Sequence, residues 1–247
     1  MRFLKGHGTE NDFVLLPDLD DQLDLTPELV RRICDRRSGI GADGVLRVVR
    51  AEDGGWFMDY RNADGSIAQM CGNGVRVYAR YLVDVGLAHD GELDLQTRAG
   101  TRSVVVDGDR ITVDMGVATV GDQVEIDGAA GTFVDMGNPH VVVHVASVGG
   151  LGVLDPGNKD VNVEYVEELG PTHLTMRVHE RGVGETRSCG TGACAAVVAS
   201  TLRTGSGRGV PYDVDVPGGR LVVTWREDGH VLLQGPAVIV AEGELSL

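Results

Sequence analysis

The sequence predicts an α+β protein with two pseudo-symmetric domains, each a curved, mostly antiparallel sheet wrapped around one central helix. The order strands, helix, strands occurs twice along the 247 residues, and each helix follows a Cys-Gly-x-Gly segment, at Cys71–Gly74 and at Cys189–Gly192. Repetition of this kind indicates an internal duplication. No low-complexity linker separates the halves. We therefore expect a first domain at residues 1–115, to which a final strand at 236–247 returns, a second domain at 116–235, and an active site in the cleft between them.

The first half begins with strands predicted at residues 1–5 and 12–16. Thr26 is typical of a helix N-cap, because Pro27 follows at the first helical position and Glu28 lies in the first turn. Cys34 falls on the apolar stripe of this helix, and we interpret it as a packing residue. Alternating apolar patterns and turn residues then predict strands at 45–50 and 56–61, a tight turn at 62–65, a helix at 75–85, and strands at 93–97, 103–106 and 111–115.

The second half repeats this order. Strands are predicted at 132–136 and 141–145, and a glycine-rich connection at 149–159 leads to strands at 161–166 and 174–179. The second helix is predicted at 193–204, and it contains Cys194, which we interpret as a core residue. A hairpin of strands at 214–216 and 221–225 turns at Pro217–Gly219, and strands at 231–234 and 238–242 complete the pattern.

Composition excludes several classes of function. The net charge of −15 argues against nucleic acid or an anionic membrane surface as a partner. Lys5 and Lys159 are the only lysines, which leaves few candidates for a pyridoxal-phosphate Schiff base. The first residues lack the apolar core of a signal peptide, so we expect a cytoplasmic protein with reduced thiols. No two cysteines form a C-x-x-C pair, which argues against a zinc ribbon or a thioredoxin-like motif.

The two cysteines that precede helices are suited to proton transfer. Helix N-termini attract anions and bring the pKa of a thiol from about 8.5 to about 3.5–7.5. Inverting a carbon beside a carboxylate needs a base on one face and an acid on the other, and two thiols on opposite walls of a cleft supply both. The amides of Gly72, Asn73, Gly190 and Thr191 are candidates for a clamp on the substrate carboxylate. This chemistry needs neither a metal nor a cofactor.

Two further motifs have a structural and a functional interpretation. His140, after Asn138 and Pro139, is either an ordinary turn residue or a hydrogen-bond partner that sets the protonation state of a thiol. Glu180 and Arg181 are either a surface charge pair or part of a binding site in which Arg181 faces a substrate carboxylate. A guanidinium binds a carboxylate through two hydrogen bonds.

Along nearly the whole chain, these motifs resemble the diaminopimelate epimerase family. The segments that carry the resemblance are Gly6–Gly8 with Asn11–Phe13, Asp35–Asp43, Arg61–Ser66, Cys71–Gly74, Gly137–His140, Asn162–Glu164 and Glu180–Ala196.

The resemblance implies a cofactor-independent isomerase of the cytoplasm that interconverts LL- and meso-diaminopimelate, on the pathway to lysine and peptidoglycan precursors. It implies Cys71 as proton donor and Cys189 as proton acceptor in the LL-to-meso direction, and a homodimer. The family's carboxylate clamp falls on Gly72, Asn73, Gly190 and Thr191, and its contacts to the distal end of the substrate fall on Asn62, Asn162, Glu180 and Arg181. Asn11 and Asn138 also line the pocket, and His140 and Glu180 match positions that tune the thiols.

The sequence departs from the family pattern at three places. Gly44 stands where many members have glutamine, so this contact to the pocket is absent or made by another group. Thr191 stands where serine is commoner, a mild change if the backbone amide does the work. The connection from Val148 to Lys159 is short in comparison with most members.

Alternative functions remain open at this point. The closest is a racemase or isomerase that acts on another small carboxylic acid, but proline racemases, which share the fold, usually carry histidine where this chain has Asn73. Asparagine there, together with Arg181, favours a substrate with a second zwitterionic head. A non-catalytic protein that uses Cys71 and Cys189 as a disulfide or as metal ligands is a hypothesis of another class. A simple anion-binding domain is the last, and it would not need thiols.

Overall fold

The computed structural model describes residues 1–158 and 160–246. Two compact units make up the chain, Met1–Val113 together with Gly235–Leu247, and Asp114–Gln234. Lys159, the last residue of the predicted glycine-rich connection, lies outside the described residues, and so does Leu247 at the end of the predicted final strand. Within the described ranges, no helix combines the length and the apolar character that crossing a membrane requires.

The helices and strands follow the predicted order. The elements up to the middle of the chain are β1 (Arg2–Gly8), β2 (Asn11–Pro17), α1 (Pro27–Cys34), β3 (Gly44–Arg50), β4 (Trp56–Asn62), α2 (Gly72–Asp84), β5 (Gly91–Thr97), β6 (Gly100–Asp107) and β7 (Arg110–Val117). The later elements are β8 (Thr119–Ile126), β9 (Ala129–Asp135), β10 (Pro139–His144), β11 (Asn162–Gly170), β12 (His173–Glu180), β13 (Gly184–Thr186), α3 (Gly190–Thr204), β14 (Pro211–Val216), β15 (Gly219–Trp225), β16 (His230–Gly235) and β17 (Val238–Glu244).

The strands of the two units pair in the same topological order. In the first unit the neighbours are β17, β1, β2, β3, β4, β5, β6 and β7, with β2–β3 and β4–β5 parallel and the other pairs antiparallel. In the second unit they are β8, β9, β10, β11, β12, β14, β15 and β16, with β10–β11 and β12–β14 parallel and the others antiparallel. The predicted duplication is therefore confirmed at the level of topology, and the sheets are mostly antiparallel as expected.

Each sheet packs around one helix. Helix α2 contacts β1, β2, β3, β4, β6 and β17, and helix α3 contacts β9, β10, β11, β12 and β15. Most residues of both helices are buried, including Val75 and Leu82 on α2 and Ala196 and Val197 on α3. A helix that is buried on nearly every side needs apolar or small residues all round, which explains the Ala/Val-rich sequence of α3.

Three local predictions are confirmed. The side chain of Thr26 caps α1 by accepting a hydrogen bond from the Leu29 amide at 3.2 Å, and Pro27 occupies the first turn. Cys34 and Cys194 are buried, 5% and 0% exposed, so both pack in the core. Burial also raises the pKa of the Cys34 thiol to about 11, which makes it a poor nucleophile at neutral pH.

Other predictions require correction. Helices α2 and α3 begin at Gly72 and Gly190, three residues before their predicted starts, because glycines at a helix start weaken the apolar pattern on which the prediction relied. Strand β8 was not predicted, since most of its residues are exposed and it lacks a buried face that would produce alternation. His140 lies within β10 and is fully buried, so the interpretation as a turn residue is wrong.

Candidate active site

The candidate residues of each unit gather at one edge of its sheet. In the first unit, Gly44 pairs with Phe13 on one side and with Asn62 on the other, so the start of β2 and the end of β4 lie at this edge. In the second unit, His140 pairs with Asn162, and β11 runs antiparallel to β12, which ends at Glu180. Each edge thus brings candidate site residues together from neighbouring strands.

Cys71 is the N-cap residue of α2 and makes no side-chain cap hydrogen bond. Its sulfur lies 3.5 Å from Asn11 Oδ1, and Asn73 Nδ2 donates to the same oxygen at 3.1 Å. Asn11 Nδ2 donates to Asp43 Oδ2 at 2.8 Å, which fixes the direction of the amide so that its oxygen faces Cys71. Three of the predicted residues, Asn11, Cys71 and Asn73, are therefore in direct contact.

Asn62 and Gly44 lie beside this cluster. The side chain of Asn62 donates to Ser66 Oγ at 3.0 Å and so closes the predicted turn at 62–65, in which the Gly65 amide also donates to the Asn62 carbonyl. A Cβ at Gly44 would come within 2.5 Å of the Arg61 carbonyl oxygen and 2.6 Å of Tyr60 Cε2. The ring of Tyr60 therefore leaves no room for a side chain at position 44, and the departure from glutamine has a steric basis.

Cys189 is the N-cap residue of α3 and is only 7% exposed. Its sulfur accepts a hydrogen bond from the Gly192 amide at 3.4 Å and lies 3.5 Å from Thr191 Oγ1. Burial raises the pKa of the Cys189 thiol well above its ordinary value, and the carboxylates of Glu180 and Glu164 raise it further, whereas the hydrogen bonds from Thr191 and Gly192 lower it. The pKa of Cys189 is therefore shifted in the direction opposite to the lowering that a helix N-terminus alone predicts, because burial and two carboxylates outweigh the helix start.

A buried polar pair lies next to α3. His140 Nδ1 is 2.7 Å from Glu164 Oε1, both side chains are fully buried, and His140 Nε2 is 3.0 Å from Asn138 Oδ1. Glu164 also touches the start of α3, since a Cβ at Gly192 would lie 2.6 Å from Glu164 Oε1. Glycine is required at position 192 because of this close approach. The structure thus joins Asn138 and His140 to the surroundings of Cys189 through Glu164.

Asn162, Glu180 and Arg181 form the remaining group. Asn162 Nδ2 donates to the Pro139 carbonyl at 2.9 Å, and its Oδ1 accepts the Arg181 amide at 2.9 Å. Glu180 Oε1 accepts a hydrogen bond from Thr186 Oγ1, which orients the carboxylate at the end of β12. Asn162 therefore ties the start of β11 to the turn that carries Arg181.

Backbone amides at the two helix starts suit an anionic group. Gly72 and Asn73 are in the first turn of α2, and Gly190 and Thr191 are in the first turn of α3. Amides of a first turn have no acceptor within the helix and lie at the positive end of its dipole. Each unit therefore offers donors to a carboxylate beside its cysteine.

Two residues of these clusters had no assigned role in the sequence interpretation. Glu164 follows Asn162 by two positions on a strand, so alternation placed both on one face and was a usable signal. Arg76 is fully buried although arginine rarely is, and its position in the apolar pattern of α2 was the corresponding signal. Within the described residues, no group of three or more His, Cys, Asp or Glu side chains is arranged to hold a metal ion.

Comparison with known protein families gives a match over almost the whole chain. The family profile described as diaminopimelate epimerase matches residues 3–121 and 132–240. A diaminopimelate epimerase of Streptomyces coelicolor is 51% identical over 274 aligned positions, covering 98% of this chain and 94% of the relative. A diaminopimelate epimerase of Thermobifida fusca is 48% identical and covers 100% of this chain and 98% of the relative.

The fold also resembles solved structures of more distant sequence. A phenazine biosynthesis protein of the PhzF family from Bacillus anthracis superimposes with a TM-score of 0.80 at 17% identity, covering 100% of this chain and 99% of the other. At this level of identity the likeness concerns the two-domain fold.

Proposed function

Because the chain belongs to the diaminopimelate epimerase family, we propose that it interconverts LL- and meso-diaminopimelate by proton transfer between two thiols, those of Cys71 and Cys189. The family match runs over nearly the full length, and within that length both cysteines occupy the N-cap position of a central helix. This paired arrangement is the observation that carries the mechanism, because a two-base inversion needs two similar groups that can each hold or release a proton.

In the LL-to-meso direction, Cys189 is the acceptor and Cys71 the donor. The bond between the α-carbon and its hydrogen breaks, and the proton goes to the Cys189 thiolate. The Cys71 thiol then gives its proton to the opposite face of the carbon and is left as the thiolate. The reverse reaction exchanges these roles. The mechanism requires that the two sulfurs contact opposite faces of one α-carbon.

The first-turn amides stabilise the charge that develops on the reacting end. We assign the α-carboxylate to the amides of Gly72, Asn73, Gly190 and Thr191, which gain strength as negative charge moves onto the carboxylate in the transition state. Thr191 acts through its backbone in this assignment, so the change from serine has little effect. Its hydroxyl lies beside the Cys189 sulfur and adds a hydrogen bond to the thiolate.

The distal end of the substrate is a second amino-acid head, and the polar residues at the sheet edges suit it. Arg181 pairs with the distal carboxylate and Glu180 with the distal ammonium. Asn62 and Asn162 bind the same end of the substrate, and Asn11 and Asn138 line the pocket. An ammonium beside Glu180 offsets one of the carboxylates that raise the pKa of Cys189. Binding of the correct substrate therefore promotes ionisation of the base, with His140 and Glu164 completing the surroundings of the thiol.

The physiological setting follows from the same assignment. We propose a cytoplasmic homodimer that works without a cofactor, and that supplies meso-diaminopimelate for lysine and peptidoglycan precursor synthesis.

Exchange of substrate hydrogen with deuterium oxide tests the mechanism. Cys71→Ala and Cys189→Ala are each expected to lower kcat for epimerisation by at least about 1000-fold, because each removes one of two obligatory proton carriers. Cys194→Ala is the matched control, since this thiol is on α3 but buried in the core. Retained inversion and exchange in the double variant Cys71→Ala/Cys189→Ala would overturn the two-thiol mechanism. Proline, offered in place of diaminopimelate, is expected to show no exchange.

A further inference from the structure

Helix α2 carries a fully buried arginine one turn after its cysteine cap. Arg76 is 0% exposed and is the largest of the fully buried side chains. A guanidinium stays charged at every pH at which proteins fold, and its burial costs free energy unless oxygen atoms surround it. A charge retained at such a place in the fold calls for a functional explanation.

The contacts of Arg76 join three segments of the first unit. Its Nη2 donates to Asn73 Oδ1 at 2.9 Å and to Thr9 Oγ1 at 3.4 Å, its Nη1 donates to the Gly72 carbonyl at 3.5 Å, and its Nε donates to the Pro236 carbonyl at 3.3 Å. One side chain thereby ties the start of α2 to the turn between β1 and β2 and to the segment that precedes β17.

The turn held by Arg76 has an uncommon backbone. Thr9 and Glu10 both have positive φ, 50° and 62°, in the tight connection that leads into Asn11. A β-branched residue such as threonine rarely adopts this conformation, and it persists only where surrounding contacts enforce it. Thr9 is 2% exposed, and its hydroxyl is one of the oxygens on Arg76. The arginine thus helps to hold the strained turn that places Asn11.

A continuous chain of contacts runs from Arg76 to the thiol. The guanidinium binds Asn73 Oδ1, Asn73 Nδ2 binds Asn11 Oδ1, and this oxygen lies beside the Cys71 sulfur. A cation at one end of such a chain polarises each amide in turn. The guanidinium itself is shielded from water, so its charge acts on neighbouring groups more strongly than a charge on the surface would.

We propose that Arg76 is a positioning residue for Cys71, which fixes the Asn11–Asn73 cluster around the sulfur and supplies a permanent positive charge beside it. The catalytic use of an easily ionised Cys71 rests on the proposed function. The effect of Arg76 on the Cys71 thiol does not. A neighbouring cation stabilises a thiolate relative to a thiol, so Arg76 makes Cys71 the more easily ionised of two otherwise similar cysteines.

Several charged groups around α2 form ion pairs of their own, and Arg102 on β6 donates to the Thr101 carbonyl. On the strands packed against the helix, the ion pairs are Asp12 with Lys5 and Arg36, Asp59 with Arg61 and Arg98, Arg47 with Asp18, and Glu242 with Arg2. Asp43 pairs with Arg36 as well as accepting from Asn11, and His7 Nδ1 accepts the Glu10 amide. Arg76 is the charge that contacts the cluster from within the helix.

Alkylation of each thiol as a function of pH tests the proposal without substrate. Iodoacetamide labelling followed by peptide mass spectrometry gives separate rate profiles for Cys71 and Cys189. In Arg76→Met, the pKa of Cys71 is expected to rise by about one unit, so its labelling at neutral pH slows about tenfold, and the profile of Cys189 stays unchanged. Arg80→Met is the control, because Arg80 is one turn further along α2 and pairs with Asp84.

Arg76→Lys separates the effect of the charge from the effect of the guanidinium geometry. It also replaces Arg76→Met in the test if circular dichroism shows that Arg76→Met is unfolded. Lysine keeps the charge but cannot bind two oxygens in a fixed plane, so the labelling profile of Cys71 should stay within about twofold while kcat falls about tenfold. An unchanged Cys71 profile in folded Arg76→Met, or full kcat in Arg76→Lys, overturns the proposal. If Arg76→Met shifts the Cys71 labelling profile but the wild-type protein does not epimerise diaminopimelate, the role of Arg76 is supported and the proposed function is contradicted.

Discussion

The starts of α2 and α3 have the same backbone arrangement and different polar surroundings. Each begins with Cys-Gly-x-Gly and follows the same order of parallel and antiparallel strands. Cys71 is linked to the buried guanidinium of Arg76 through the amides of Asn73 and Asn11, whereas the pKa of Cys189 is raised by burial and by the carboxylates of Glu180 and Glu164. The two halves of the fold therefore present two similar thiols in different surroundings.

This inequality bears on how a two-thiol site begins a reaction. Such a site needs one thiolate and one thiol, and two identical surroundings would populate both arrangements equally. On the proposed mechanism, a cation near Cys71 and the carboxylates near Cys189 favour the arrangement in which Cys71 is the thiolate and removes the proton. In the proposed mechanism, the opposite direction begins when the ammonium of a bound substrate offsets the charge of Glu180. The comparison thus assigns different activation routes to the two directions.

Alanine substitution of the second glycine in each Cys-Gly-x-Gly motif is expected to give the largest difference in stability between the two helix starts. Gly192→Ala should destabilise the protein by about 2–3 kcal/mol, because the new Cβ would lie 2.6 Å from Glu164 Oε1 and overpack a buried, hydrogen-bonded pair. Gly74→Ala should change stability by less than about 1 kcal/mol, because alanine favours a helix and the new Cβ would be tight only against Leu46 Cδ2, at 3.3 Å. Its other near neighbours, Cys71 Cβ and Phe13 Cζ, would lie at an ordinary 3.6 Å. Urea unfolding of the two variants measures the difference.

Equal midpoints for the two alanine variants would show that Glu164 relaxes freely. The double variant Gly192→Ala/Glu164→Ala provides the control, because removing the carboxylate removes the clash. It should recover part of the loss if the close approach is the cause. If the double variant recovers no stability, the destabilisation by Gly192→Ala has another cause than the contact with Glu164.

The carboxylates around Cys189 give the next largest effect. Glu180→Gln should lower the pKa of Cys189 by about one unit, because a negative charge favours the protonated thiol and its removal favours the thiolate. Labelling of Cys189 by iodoacetamide would then begin at lower pH, while the Cys71 profile stays in place. Glu185→Gln is the matched control, since Glu185 lies in the neighbouring strand β13 and pairs with Arg177. If the Cys189 labelling profile does not shift in Glu180→Gln, the carboxylate of Glu180 does not raise the pKa of Cys189, and this difference between the surroundings of the two thiols is contradicted.

Much of this architecture was predictable from local sequence patterns. The Thr-Pro-Glu start of α1 and the hairpin at Pro217–Gly219 depend on capping and turn chemistry within a few residues, and both are confirmed. Strand β8 was missed because its exposed residues lack alternation. A strand without a buried face is specified by its pairing with β9, and that long-range information is absent from any short window.

The site shows the same division. The pairing of two cysteine-capped helices could be recognised from the repeated motif, and the starts of both helices are confirmed within a turn. Alternation places Glu164 on the same face as Asn162, but its contacts with His140 on β10 and Gly192 on α3 join residues far apart in the chain and could not be deduced. The contact of Arg76 with Thr9 likewise depends on how β1 and α2 pack. Sequence patterns predict which groups are present, and tertiary packing decides which of them act on each other.

The smallest expected effect concerns the cap itself. Cys71 has the extended backbone of an N-cap, φ −144° and ψ 122°, but its sulfur makes no cap hydrogen bond, whereas Thr26 caps α1 through its hydroxyl. Serine is a preferred N-cap, so Cys71→Ser should raise the stability of the protein by about 0.5–1 kcal/mol while abolishing proton transfer. Thr26→Ala should lower stability by about 1 kcal/mol without affecting the thiols. Thermal unfolding together with an epimerase assay measures both. A Cys71→Ser variant less stable than the wild type would mean that the sulfur contributes packing that the oxygen cannot replace, and that position 71 gives up no stability for its chemistry.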